Sequence, residues 1–330
     1  MAGFQLGISW RRAAAGPAVK ALLTGATSFS GLWLSRALHA RGFEVVAPVR
    51  RAAANYTDVR AERVAALAQV AEIVEDVEFG SAAFVKLVET TGCDVLCHHA
   101  AEVTNYRSPE FDVAAALAAN TRGFPAIAEL MKARAFKAVI GTGSAFEPDG
   151  GAGEVPLRAF SPYGLSKAFT NATLRYWCDL AGLPFGKFVI ANPVGPYEEP
   201  RFCAYLMKTW AGGQTPAVRT PDYVRDNIHV DALARTYAAF VAEVAQNGRS
   251  AQLAPSMYVE SQGAFAERFA REVGKRVAKP CVVKLCVQTD FTEPMVRINT
   301  DHVNYAALGF DETSAWDEIV AYYSSRLNLR

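Results

Sequence analysis

Short apolar runs and longer stretches of helical spacing alternate along the first two thirds of this chain. Ala21-Leu22-Leu23, residues 45–49, 72–74, 94–97 and 138–140, and Phe185–Ile190 read as strands. They are mainly apolar, as strands covered on both faces are. Between them, helical spacing is read over 31–41, 60–70, 82–90 and 113–133, the last interrupted by Gly123 and Pro125. A further helix has Ser161 as its N-cap, Pro162 in its first position and Gly182 as its stop. Strand–helix alternation of this kind predicts an α/β fold with a doubly wound parallel sheet and helices on both faces. Beyond Asn192 the rhythm breaks, and Pro, Gly and aromatic residues become frequent. That predicts a smaller, mixed α/β second lobe.

Composition narrows the picture. The chain has 330 residues, 51% of them hydrophobic, enough for a sizeable core, and its formal net charge is +1. Lys and Arg are scattered without a basic stripe, which argues against nucleic acid as a partner. No apolar run approaches the about 18 residues of a membrane span. Cys93, Cys97, Cys178, Cys203, Cys281 and Cys286 follow no zinc spacing; Cys93 and Cys97, around a strand, read as small reduced core residues, which fits a cytoplasmic protein. Residues 1–19 carry Arg11 and Arg12 and no acid, a loose likeness to a transit peptide; the simpler reading is an unstructured arm before the first strand.

Two segments carry candidate chemistry. Thr24-Gly25-Ala26-Thr27-Ser28-Phe29-Ser30-Gly31 lies between the first strand and the first helix. A tight turn there aims backbone N–H groups and the positive helix end at a pyrophosphate, which predicts a dinucleotide site. Gly25 permits the turn and Gly31 close helix–sheet packing, while Ser28 stands where a middle glycine is expected. The second strand ends in Val49-Arg50-Arg51 and not in an acid. An acid there holds a ribose 2′-OH, whereas Arg pairs with a 2′-phosphate, so NADP is favoured and NAD remains open. Asp76, after the third strand, is placed either to reach the adenine edge or to cap a turn. In Tyr163-Gly-Leu-Ser-Lys167, Tyr and Lys stand one turn apart on one helix face. An ammonium beside a phenol stabilises the phenolate and draws its pKa down from about 10, giving a proton donor and acceptor for a carbonyl/alcohol pair.

Further motifs follow in order: His98-His99-Ala100-Ala101, Asn120 with Gly123, Asn192 with Gly195-Pro196, and Arg225-Asp226-Asn227-Ile228-His229-Val230-Asp231. With these, the chain from about Lys20 onward resembles the extended short-chain dehydrogenase/reductases, in their nucleotide-sugar epimerase/dehydratase/reductase branch. The resemblance implies an NAD(P)-binding Rossmann domain formed by 20–191 and 225–253, and a nucleotide-sugar-binding lobe formed by 192–224 and 254–330. It implies that Tyr163 exchanges a proton with the sugar and that Lys167 holds the nicotinamide ribose. Gly25, Thr27, Ser28, Phe29, Ser30, Gly31, Arg50, Arg51, Asp76, Ala100, Ala101 and Asn120 would line the cofactor. Asn192, Arg201 and Arg225 would bind a nucleotide-diphosphate sugar, with Glu198 and Glu199 in a lid over it. A Ser or Thr at the end of the fifth strand should touch the sugar oxygen. In Gly141-Thr142-Gly143-Ser144-Ala145-Phe146-Glu147-Pro148, the S-S-C-I-Y-P pattern of GDP-fucose synthase anchored on Pro148 favours Ser144, with Thr142 in reserve. The commoner register places Gly143 there.

A 4,6-dehydratase of this branch needs an Asp-Glu pair after the catalytic hydroxyl. Here Ala145-Phe146 follow Ser144, and Glu147 is a lone carboxylate out of register. Reduction of a 4-keto sugar is favoured, with C4 epimerisation close behind; a non-enzymatic NADP sensor is disfavoured because both Tyr163 and Lys167 are present. His98 and His99 point to opposite faces of a strand and complete no metal site. His229 reads as a packed structural histidine. The resemblance also implies a homodimer through the Asn120 and Tyr163 helices, whose Phe169, Leu174 and Trp177 are candidates for the outward face.

Overall fold

The computed structural model describes residues 19–277 and 279–327; the expected arm, apart from Val19, lies outside them. In chain order the first half comprises β1 (Lys20–Thr24), α1 (Phe29–Ala40), β2 (Glu44–Pro48), α2 (Asp58–Leu67), β3 (Glu72–Val74), α3 (Ala82–Thr90), β4 (Val95–His98), α4 (Val113–Asn120), α5 (Phe124–Ala133) and β5 (Ala138–Ser144). There follow β6 (Ala152–Gly153), α6 (Pro162–Ala181), β7 (Phe185–Ile190), β8 (Asn192–Val194), α7 (Phe202–Ala211), β9 (Ala217–Val218), β10 (Val224–His229), α8 (Val230–Asn247) and β11 (Ala251–Leu253). The rest is β12 (Pro255–Ser256), β13 (Tyr258–Ser261), α9 (Gln262–Gly274), β14 (Lys284–Leu285), β15 (Val296–Ile298), β16 (Asp301–His302) and α10 (Glu312–Leu327).

Seven parallel strands form the main sheet in the order β11-β7-β5-β4-β1-β2-β3. Successive strands run outward from β1 on one side and from β4 on the other, so the order reverses between β1 and β4. The carboxyl ends of those two strands therefore open a crevice. One face of the sheet buries α1 and α8 around Leu32, Leu34, Phe188, Tyr237 and Phe240. The other buries α3, α5 and α6 around Phe84, Phe124, Leu174 and Phe185. A third core, with Leu206, Phe265, Phe269 and Trp316, joins α7, α9 and α10 in the smaller lobe.

Local signals hold where they are strong. Ser161 caps α6 by accepting from Gly164 N, Pro162 opens the helix, and Gly182 closes it in the left-handed region. The expected 113–133 helix is two: α4 ends at Asn120, Gly123 takes φ +64°, and Pro125 sits in the first turn of α5. Strand pairing crosses the expected domain division twice. β6, inside 20–191, pairs with β15 of the smaller sheet. Residues 225–229 lie in β10, which pairs with β13, β15 and β8 in the smaller sheet and not with the main one. Strand partners far along the chain decide that, and spacing does not carry it. On α6, Leu174 is fully buried against the main sheet and Trp177 packs on the same core, so of the three candidates only Phe169 faces outward, joined by Tyr176 and Leu180. All six cysteines are free thiols. Among the described residues no helix is long and apolar enough to cross a membrane.

Candidate active site

The crevice begins at the turn after β1. Gly25 has φ +73°, and a Cβ on it would lie 2.8 Å from Ala100 N; one on Gly31 would lie 2.2 Å from Gly25 O. Both positions are closed to any side chain, so α1 starts hard against the strand ends. Thr24 Oγ1 accepts from the His99 and Ala100 amides, which fixes the end of β4 to the turn. Ser28 caps α1, its Oγ accepting from Gly31 N at 3.0 Å and lying 3.2 Å from His99 Nε2. Its hydroxyl is thus engaged by the protein, and the Phe29 and Ser30 amides stand in a first helical turn that offers them no carbonyl. Thr27, Ala100 and Ala101 line the same opening, half-buried. This cradle of glycines, small residues and a helix N-terminus fits a dinucleotide pyrophosphate.

Arg50 and Arg51 are exposed just beyond β2, with the Arg51 guanidinium 5.4 Å from the Tyr56 ring centroid. Hydrogen bonds from Thr104 hold Glu102 below the usual carboxylate range, and Arg50 adds to this from across the crevice. Asp76 is exposed, with φ +57°. Asn120 is buried: its Oδ1 accepts from Glu102 N and its Nδ2 donates to Thr170 Oγ1. It ties the segment after β4 to α6 instead of lining the opening.

Tyr163, Lys167 and Asn171 follow one another at four-residue intervals along the face of α6 that meets β5. A Cβ on Gly141 would lie 2.5 Å from Asn171 Oδ1, and one on Gly143 would lie 2.9 Å from Glu147 Oε1. The α6 side of β5 is therefore the glycine side. Thr142 is on the other, where its Oγ1 lies 3.2 Å from His99 Nδ1, away from Tyr163. Ser144, at the strand end, accepts from Phe146 N through Oγ and donates its own N–H to Glu147 Oε1. Glu147, which the sequence pattern leaves as a stray carboxylate, is fully buried here and lies 2.7 Å from Lys187 Nζ. A charged residue closing the turn after a Gly-rich strand end, with a lysine inside the next strand, is the signal in the sequence that points to it.

Charge at this centre departs from the simple expectation. Burial, Glu147 and Tyr106 push the Tyr163 phenol above its ordinary value, against a lowering by Arg201. Lys167 falls to about 8, because burial disfavours its ammonium more than Glu147 supports it. The tyrosine is thus held protonated, and its partner lysine is the softened group. His98 and His99 drop to about 3, chiefly by burial and then by Lys167, and are neutral at physiological pH. His98 bridges Thr24 and the Asn120 carbonyl, and His99 bridges Ser28, Ser30 and Thr142.

Over the opening, Tyr106 and Phe111 pack edge-on against Tyr163. The Arg201 guanidinium lies 6.0 Å from the Tyr106 centroid, so Arg201 is brought to the Tyr163 side of the opening. Asn192 is half-buried on β8, opposite Asn227. Glu199 pairs with the buried Arg63 at 2.7 Å, and burial lifts Glu198 to about 8, so the expected lid acids face the protein. Arg225 is buried but not bound to Asp226 or Asp231. It donates to Glu293 Oε2 at 2.9 Å and to the Pro294 carbonyl, and stacks on Phe160 and Tyr223. Phe160 in turn stacks on Phe146, just beyond Ser144. Arg297, absent from the sequence reading, is its register partner on β15 and only 3% exposed. Its Nε has no hydrogen-bond partner among the described residues. The signal was a lone Arg between Val296 and Ile298. His229 caps α8 and packs against Trp33 and Phe310, as a structural histidine does.

A family model described as NAD dependent epimerase/dehydratase family matches residues 21–254. Solved structures of similar fold include UDP-glucose 4-epimerase from Stenotrophomonas maltophila with bound NAD and formylated UDP-arabinopyranose. It is 19% identical, with a TM-score of 0.74 over 94% of this chain and 100% of that one. UDP-glucose 4-epimerase from Brucella ovis in complex with NAD is 20% identical, with a TM-score of 0.71 over 95% and 99%. DesIV, a dTDP-glucose 4,6-dehydratase from Streptomyces venezuelae, is 19% identical, with a TM-score of 0.69 over 94% and 98%. No curated protein matches the chain in sequence.

Proposed function

This chain belongs to the NAD dependent epimerase/dehydratase family, and from that premise we propose that it is an NADP-dependent oxidoreductase that reduces the 4-keto group of a nucleotide-diphosphate sugar. The observation that carries the oxidoreductase reading is Tyr163 and Lys167 on one face of α6, beside the opening lined by Gly25, Ser28 and Ala100. The bound nicotinamide supplies or accepts a hydride; the residues supply the rest. Tyr163 delivers the proton to the carbonyl oxygen, and Lys167 stands by to stabilise the phenolate left behind.

Reduction is favoured together with NADP, since a reductase consumes NADPH at each turnover whereas an epimerase returns its hydride to the sugar. NADP is favoured by Arg50 and Arg51 at the end of β2, where a guanidinium fork suits a phosphate. A diphosphate is favoured by Arg225 and Arg297, two buried guanidinium groups in register with one carboxylate, Glu293, between them and neutrality. Arg201 would meet the sugar near Tyr106. A second reading, C4 epimerisation with retained NAD, draws support from the UDP-sugar 4-epimerases among the structural neighbours. The outward stripe of Phe169, Tyr176 and Leu180 on α6 suits a homodimer, to be tested by light scattering of a Phe169→Glu variant.

The experiment is to incubate the pure protein with NADPH and a panel of nucleotide 4-keto-hexoses, following cofactor absorbance. Oxidation with one of them supports the reductase. Interconversion of fully hydroxylated sugars without net oxidation replaces it with the epimerase.

A further inference from the structure

We propose that the Glu147 carboxylate, clamped by Lys187, is a positioning residue of this catalytic centre, filling the α6-facing side of β5 that Gly143 leaves open and setting the charge against which Tyr163 works. The inference rests on the reading of Tyr163 as the proton-transfer group.

Geometry is the first support. A Cβ on Gly143 would lie 2.9 Å from Glu147 Oε1 and 3.0 Å from Lys187 Cε, so the carboxylate and the lysine stem fill the space where a strand side chain would otherwise point toward α6. Oε1 accepts from Ser144 N at 2.8 Å and Asn171 Nδ2 at 3.1 Å, and Oε2 lies 2.7 Å from Lys187 Nζ. Asn171 Nδ2 also reaches the Lys167 carbonyl at 3.1 Å. One carboxylate thus joins the end of β5 and β7 to the helix that carries Tyr163, one turn below Lys167.

Cost is the second support. Glu147 is fully buried and Lys187 only 3% exposed. A buried pair barely repays the desolvation of its two charges, and a well-packed apolar pair would serve stability as well. A charge retained at that cost, beside a phenol and an ammonium, acts on them.

The groups around Tyr163 are Lys167 on its own helix, Glu147 after β5, Tyr106 after β4 and Arg201 before α7; Lys187 on β7 and Asp149 stand behind Glu147, and His98 and His99 on the β4 side are neutral. Within this set Glu147 opposes the phenolate and supports the Lys167 ammonium. Tyr163 therefore starts as an acid. In reduction a hydride from the reduced nicotinamide adds to the carbonyl carbon, the C=O π pair moves to oxygen, and that oxygen takes the Tyr163 proton; solvent then reprotonates the phenolate. The reverse reaction needs the phenolate first, against Glu147, and so needs higher pH.

The test is a pH titration of the Tyr163 phenolate by ultraviolet difference absorbance. Each background is compared with its Tyr163→Phe counterpart, with NADP⁺ present. Glu147→Gln keeps the shape and removes the charge. Removing a neighbouring anion eases ionisation, so the midpoint falls by about one pH unit or more, and Glu147→Asp restores it. The alkaline limb of alcohol oxidation moves down with it. Should Glu147→Gln fail to fold, Glu147→Gln/Lys187→Met removes both charges; because the lost ammonium favoured the phenolate, a smaller fall of the midpoint is then expected. An unchanged midpoint overturns the proposal, even where turnover falls. The titration uses no substrate, so a midpoint shift without ketone reduction keeps the role of Glu147 and discards the reductase, while reduction without a shift does the opposite.

Discussion

The two faces of β5 hold polar clusters built on opposite chemistry, mostly half-buried on one side and buried on the other. Away from α6, Thr142, His99, Ser28 and Ser30 form a neutral chain of hydrogen bonds that ties the cofactor turn to the strand. Toward α6, Glu147, Lys187, Asn171 and Lys167 form a cluster that keeps its charges. The histidines meet burial by giving up their proton, dropping to about 3. Glu147 and Lys187 meet it by pairing. A neutral network positions groups at modest cost and exerts little field, whereas a buried ion pair costs more and biases its titratable neighbours. The proposed chemistry sits on the second side.

The most damaging way to probe that asymmetry is to remove the phenol. Tyr163→Phe is expected to lower kcat by about 10²–10⁴ while NADP(H) affinity, measured by fluorescence titration, holds. A variant that keeps a tenth of the rate moves the proton transfer elsewhere. Next is the ion pair. Glu147→Ala, which leaves the buried Lys187 ammonium only the exposed Asp149 as counter-ion, should lose up to about 3–5 kcal/mol of stability in urea unfolding, whereas Glu147→Gln/Lys187→Met should lose far less. Equal losses in both would mean that charge is not what distinguishes the α6 side.

The neutral side is separated by pH. His98 and His99 have folded values near 3, below the 6.5 of an exposed histidine, so between those values the unfolded chain binds more protons than the folded one. The stability they provide is present above pH 6.5 and drains away as pH falls toward 3. His99→Gln should flatten part of that acid loss in a series of thermal melts, and an unchanged slope would remove His99 from the account. Smallest is Thr142→Val, which deletes one partner of His99 while Ser28 and Ser30 remain; it should cost about 1 kcal/mol in the same unfolding assay, and a collapse of turnover would put Thr142 back among the catalytic groups.

What could be read early was local. Ser161, Pro162 and Gly182 bound α6 because capping needs only near neighbours, and the spacing of Tyr163 and Lys167 fixes their common face once a helix is granted. Gly25 and Gly31 announce a turn whose need for bare backbone is steric. The rest depended on partners far along the chain. Leu174 reads the same whether it faces the sheet or solvent, until the rotation of α6 is known. Arg225 beside Asp226 and Asp231 suggests an ion pair, but alternation along β10 sends neighbours to opposite faces, and the guanidinium finds Glu293 instead.

The sequence by itself determined the kind of fold and the identity of the tyrosine–lysine pair, because periodicity, caps and four-residue spacing are properties of a few consecutive residues. Which of Thr142, Gly143 and Ser144 meets α6, that Glu147 fills the gap, and that Arg297 stands beside Arg225 were decided only by tertiary structure. A strand's register is set by pairing with distant segments, and a shift of one residue exchanges its two faces. The charge that Tyr163 feels follows from that register.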